Sequence, residues 1–154
     1  MVILSIDQSN TWHGGVMGIE VGHVFPKKTF VVEPHRVAEY VIALGVQPEE
    51  NWTPTIGQAV PPGFFMYVTS YGADDVHDYL NFDLLHTVYG GTETEFLEPV
   101  LIGDVLTVYP VISSLTVKES KGKTLTFAEI TCEYVNDHGR IAVIERSNTV
   151  EKVG

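Results

Sequence analysis

Apolar and polar positions alternate through three long runs in the second half of the chain, Val105 to Lys118, Thr124 to Val135 and Arg140 to Thr149. A period of two places one set of side chains on each face of a sheet, so these runs predict β-strands. Glu119-Ser120-Lys121-Gly122-Lys123 and Asn136-Asp137-His138-Gly139 separate them, and both have the composition of hairpin turns. A fourth alternating run starts at Tyr89-Gly90-Gly91 and passes through Phe96. Pro99 interrupts it because proline has no N–H to give to a ladder, and Gly103-Asp104 supplies the turn into Val105. One stretch is patterned as a helix: Val37, Tyr40, Val41 and Leu44 recur at i, i+3, i+4 and i+7. Glu33-Pro34 opens it, since proline at the first helical position gives up an N–H that has no partner there anyway. Gly45 closes it as a left-handed residue beyond the last turn. With a short apolar strand at Lys28 to Val32 ahead of this helix, the pattern is one strand, one helix and a four-strand antiparallel run. That defines an α+β domain in which a sheet wraps around a central helix.

Other segments are less clearly patterned. Residues 1–21 show no period and read as an irregular N-terminal arm. Val46 to Gly63 contains Pro48, Pro54, Pro61 and Pro62 and reads as a long ordered loop, a length that usually marks function or an interface. Phe64 to Tyr71 is apolar and aromatic, and periodicity does not decide between strand and helix; it is taken as a short helix because the inferred fold has one there. At 154 residues the whole chain, 1–154, is expected to be one domain with a sizeable core.

Charge narrows the partners. A net charge of −11 argues against nucleic acid, whose binding needs a basic footprint, and against docking on anionic lipid. No apolar run approaches the roughly 20 residues of a membrane span. Without an evident signal peptide, and with Cys132 as the one cysteine, the expectation is a reduced cytoplasm. Lys27-Lys28 and the group Lys118, Lys121 and Lys123 read as solubilising strand ends, with contact to nucleotide phosphates as the alternative.

Few residues suggest chemistry. Asp74, Asp75, His77 and Asp78 match no metal-ligand spacing, and no metal or cofactor is expected. Gly122-Lys123-Thr124 imitates the end of a phosphate loop, but Val117 stands where the loop needs glycine. Cys132 has no base near it in sequence. His86 lies just before the paired glycines, where it is a candidate for a binding pocket.

From Gly90-Gly91 through Phe96, Pro99-Val100, Gly103-Asp104, Leu106 and Val108, the chain resembles the G-G-x-x-x-x-F-x-x-P-V-x-x-G-D-x-L-x-V segment of the MaoC-like (R)-specific enoyl-CoA hydratases and 3-hydroxyacyl dehydratases. The resemblance runs from about Gly22 to Val150 and is closest to the family's N-terminal type of domain. It implies a hot-dog fold. Catalytic members carry G-D-x-N-P-x-H after a helix, where an Asp and a His five residues apart activate one water. Here Leu44-Gly45-Val46-Gln47-Pro48-Glu49-Glu50-Asn51 stands in that place. Val46 replaces the Asp, and no histidine occurs between His35 and His77. The resemblance therefore implies the degenerate member of a paired-subunit enzyme of lipid or steroid metabolism. Such a chain holds the acyl group of a CoA or acyl-carrier-protein thioester while another hot-dog chain, a second copy or a different catalytic one, adds water. The residues implied to bind substrate are Trp52, Pro61, Pro62, Phe64, His86, Gly90 and Gly91, with no catalytic residue. Two other classes stay open: a thioesterase using Glu39 on the helix, and an interaction module that binds no acyl group.

Overall fold

The computed structural model describes residues 18–45, 53–65 and 74–154. The strands are β1 (Lys28–Val31), β2 (Thr87–Phe96), β3 (Val105–Ser120), β4 (Lys123–Val135) and β5 (Ile141–Val153), and the helices are α1 (Pro34–Ala43) and α2 (Asp74–Leu80). All strand pairs are antiparallel, in the order β1-β3-β4-β5-β2.

The turns explain the register. Ser120 pairs with Lys123, which leaves Lys121 and Gly122 as a two-residue loop, both with positive φ (52° and 73°). That is the mirror-image turn whose twist matches the flanking strands. Between β4 and β5 the Asn136 side chain organises the turn, its Oδ1 accepting from the backbone N–H groups of His138 (3.1 Å) and Arg140 (3.0 Å). Gly139 there has a φ of 74°, a region open to glycine.

Strand β2 does not lie beside β3, as a simple four-strand run would have it. It pairs with β5 from Thr87↔Glu151 to Phe96↔Val143 and forms the sheet's edge. After Phe96 the chain leaves the sheet, with the N–H groups of Leu97 and Glu98 both donating to the Ala142 carbonyl. It then runs along the sheet's end and re-enters at β3, where Gly103 N–H donates to Val32 O and Val32 N–H to Asp104 O. Alternation marks a strand but not its neighbour.

The helical layer also differs from the expectation. Of the residues in α1 only Val37 is buried, and Ile42 and Leu44 are exposed. The side chains that cover the sheet come from Phe64 and Phe65, both fully buried, and from Val76 and Leu80 of α2. Phe64 and Phe65 pack with Val32, Val37, Leu106, Tyr134 and Val143. Val76 and Leu80 pack with Phe25, Ile112, Ala128 and Ile130. Cys132 touches both clusters and joins them into one interior. α1 therefore contributes Val37 to the larger cluster, with Tyr40 packed against it, and buries less of its apolar stripe than the spacing predicts.

Candidate functional site

An apolar cleft of about 340 Å³ opens where the loop after Thr53 meets the turn after β2. Its lining is Ala59, Val60, Pro62, Phe96, Leu97, Glu98, Pro99 and Val100. Backbone bonds fix its floor: Val60 N–H donates to Val100 O (3.0 Å), Ile102 N–H to Gln58 O (2.8 Å) and Gly57 N–H to Ile102 O (2.8 Å). Val60 and Val100 are buried, whereas Phe96 and Leu97 stay 40% and 50% exposed. The polar lining residue Glu98 is already engaged, accepting from Arg140 Nε at 2.6 Å and from Asn136 Nδ2 at 2.9 Å. Mostly apolar but open to solvent, the cleft offers a hydrocarbon group a wall to lie against without enclosing it.

Behind Phe96 a line of aromatic rings leads inward. Phe96 meets Phe65 edge-on at 5.3 Å between centroids, and Phe65 meets Tyr134 edge-on at 5.3 Å. The Tyr134 hydroxyl donates to Glu145 Oε2 over a long 3.4 Å. Glu145 is 1% exposed, and its Oε1 has no hydrogen-bond partner among the described residues. Burial pushes its carboxyl up to about 7, opposed in part by the Tyr134 hydrogen bond. Burial, then the nearby Glu145, pushes the Cys132 thiol up to about 12 and drives the Tyr134 phenol above its usual range. This inward trio was not recognised in the sequence. The available signal was Glu145 itself, a charged residue two places after Val143 and so on the inward side of β5.

The residues singled out in the sequence are scattered. Trp52 lies outside the described residues. Pro62 lines the cleft, and Pro61 is half-buried next to it. Phe64 sits in the core, edge-on to Tyr40 at 5.8 Å, and not on the cleft wall. A side chain at Gly63, beside it, would meet the Tyr40 hydroxyl, so Tyr40 would have to shift. His86 is exposed on the turn before β2, with Nδ1 2.7 Å from Asp83 Oδ2. That hydrogen bond first, and the Leu85 N–H second, hold the Asp83 carboxyl below its ordinary value. Gly90 and Gly91 form a bulge: Tyr89 pairs with Thr149 and Gly91 with Asn148, so Gly90 is the extra residue, and Gly91 has a φ of +126°. His86 is about ten strand residues from Phe96, roughly 30 Å, and Gly91 is five, roughly 17 Å, so neither His86 nor the glycines line the cleft within this chain. Lys28, one of the lysines weighed for phosphates, is paired with Asp75 at 2.9 Å. No group of three or more His, Cys, Asp or Glu suited to a metal occurs among the described residues, and no helix among them is long and apolar enough to cross a membrane.

An antiparallel five-strand sheet with its helical segments packed on one face defines the hot-dog class. The family model described as the FAS1-like, dehydratase domain region matches residues 20–145, and the chain belongs to that family. Solved structures agree on the fold. The chain is similar to the HadBC (3R-hydroxyacyl-ACP dehydratase) complex from Mycobacterium tuberculosis, at 20% identity and TM-score 0.60 over 87% of this chain and 99% of that one. It is similar to a MaoC-like dehydratase from Rhodospirillum rubrum, at 18% identity and TM-score 0.62 over 88% and 94%. It is also similar to the protein SAV2348 from Staphylococcus aureus, solved in complex with CoA, at 11% identity and TM-score 0.50 over 87% and 72%. A comparison with the curated proteins finds no significant match. The chain thus has the hot-dog fold and belongs to the FAS1-like dehydratase-region family.

Proposed function

We propose that this chain binds the acyl group of a CoA or acyl-carrier-protein thioester as the non-catalytic subunit of a cytoplasmic dehydratase or hydratase, while a second hot-dog chain supplies the acid–base pair. The observation that carries the reading is the loss of that pair: Val46 stands in the place of the Asp, and no histidine lies between His35 and His77. Adding water across a conjugated double bond needs a group to take a proton from water and a group to deliver one to carbon. The cleft offers neither, because Glu98 is committed to Arg140 and Asn136. The Asp–His contacts among the described residues, Asp83 with His86 and Asp137 with His138, lie on exposed turns. In this reading the cleft at Pro62 and Phe96 receives the acyl chain. The partner has a surface at hand: β2 is a ten-residue edge strand, and Val88, Tyr89, Phe96 and Leu97 are exposed along and just beyond it. Such an edge is normally covered. A thioesterase is less well supported, since Glu39 is exposed on α1 away from the cleft.

The test is a hydration assay on short enoyl-CoA substrates with the chain alone and with the hot-dog chain that co-purifies with it. No turnover is expected from the chain alone, and turnover from the pair. Robust turnover by the isolated chain, undiminished on further purification, overturns the proposal.

A further inference from the structure

Each strand turns one set of side chains to the core and the other to the opposite face of the sheet. Leu106, Ile112, Ala128, Ile130, Tyr134 and Val143 point into the core clusters, together with Val37 of α1 and Val76 and Leu80 of α2. Both helices therefore lie on that side, and the outer face is left uncovered among the described residues. This outer face is divided by charge. Toward the β3–β4 hairpin it carries Lys118, Lys123 and Lys152 and no carboxylate, set around Leu125, Phe127 and Val150. Lys118 and Lys152 flank Leu125 in one cross-strand row, and the Lys118 ammonium lies 5.1 Å from the centre of the Phe127 ring. Toward the other end the same face carries Glu93, Glu95, Glu129 and Glu133 against a single Arg146. Solubility alone asks for both signs interspersed, not sorted along the strands.

We infer that the outer face is an interface in its own right, at which two copies of the chain pack back to back about a twofold axis crossing the strands at mid-face. A twofold running along the strands would set lysines on lysines. The axis across them lays the hairpin end of each copy on the acidic end of the other. The row of Lys118, Leu125 and Lys152 then meets the row of Glu133, Ile144 and Glu95, and by symmetry it does so twice. Glu129, nearest the axis, is held by the Ser113 hydroxyl at 2.8 Å, and its register partner Asn148 has a side-chain amide able to donate to the other copy's carboxylate. Two sheets packed this way stack about 10 Å apart with their strands nearly aligned. Strands β2 to β5 at about 4.8 Å spacing, and the span from Leu125 to Glu133 at about 3.3 Å per residue, give a facing patch of roughly 19 by 26 Å. The two copies together bury about 1,000 Å², the lower end for a specific contact, so the association is reversible and sensitive to salt. It does not depend on the acyl-binding reading. The edge of β2 stays free for a hot-dog partner, and both contacts can form at once.

The experiment is sedimentation of the chain, in the assembly in which it purifies, at 50 and 500 mM NaCl. A species of twice the mass is expected at low salt, with its dissociation constant raised about tenfold or more at high salt. Lys118→Glu with Lys152→Glu reverses the sign of the hairpin end, and Glu95→Lys with Glu133→Lys reverses the acidic end. Neither variant should form the doubled species, and urea melts of both check that they remain folded. Mixed in equal amounts, the two variants should form it again, because each then presents a face of one sign to the other. Absence of the doubled species at 50 mM salt, doubling that survives either pair of substitutions, or folded variants that stay apart when mixed overturns the inference.

Discussion

Replacing Glu145 by Gln should change how stability depends on pH, and the size of the effect follows from burial. Folding raises this carboxyl from its ordinary 4.5 to about 7. Below pH 4.5 it is protonated in both folded and unfolded chains and contributes no penalty. Between 4.5 and 7 the unfolded chain releases the proton and the folded one keeps it, so stability falls by about 1.4 kcal/mol per pH unit. Above 7 the fall levels off. The interval is 7 − 4.5 = 2.5 units, and the accumulated loss is about 3 kcal/mol. Gln at this position fills the same space and does not titrate. The two proteins should therefore be similar in stability near pH 5, and the Gln variant should lead by about 3 kcal/mol at pH 8. Urea melts of both at pH 5, 6, 7 and 8 measure this, because taking the difference cancels every other titrating group. A difference that stays constant from pH 5 to 8 would show that Glu145 is not a buried neutral acid.

Phe64 and Phe96 should separate folding from binding. Phe64→Ala removes a fully buried ring and should cost about 3–5 kcal/mol in a denaturation midpoint. Phe96→Ala should leave the melt nearly unchanged while weakening acyl-CoA binding by titration; equal binding would remove Phe96 from the cleft. Gly91→Ala places a side chain at a φ of +126° and should destabilise the protein by about 1–3 kcal/mol, read from its thermal or urea transition. Thr92→Pro, in the middle of the edge strand, should reduce association with the partner chain in sedimentation experiments, and unchanged assembly would move the interface away from β2.

Much of the fold was legible because local rules govern it. The alternating runs from Val105 onward became β3, β4 and β5, since period-two alternation needs nothing beyond nearest neighbours. Pro34 opens α1 and Gly45, with a φ of 76°, follows its end, because capping is decided by residues within one turn. That no histidine lies between His35 and His77 is likewise read directly from the order of residues. The paired glycines were seen as a signal, but their role as a bulge with Gly90 against Asn148 became clear only once β2 was paired with β5.

Other features depended on residues far apart in the chain. That β2 joins β5 rather than β3, and that Phe64 and α2 supply more of the buried side chains than α1 does, depend on which surfaces meet. A one-dimensional pattern shows that a face is apolar but not what covers it. The cleft has the same origin: Pro62 and Phe96 are 34 residues apart and share a wall through the backbone bonds that join residues 57–60 to 100–102. Glu145 shows the limit most plainly. Sequence places a carboxyl on the inward side of β5, but its protonation depends on the water it loses when it is buried beside Tyr134 and Cys132, and that exclusion exists only in the folded chain.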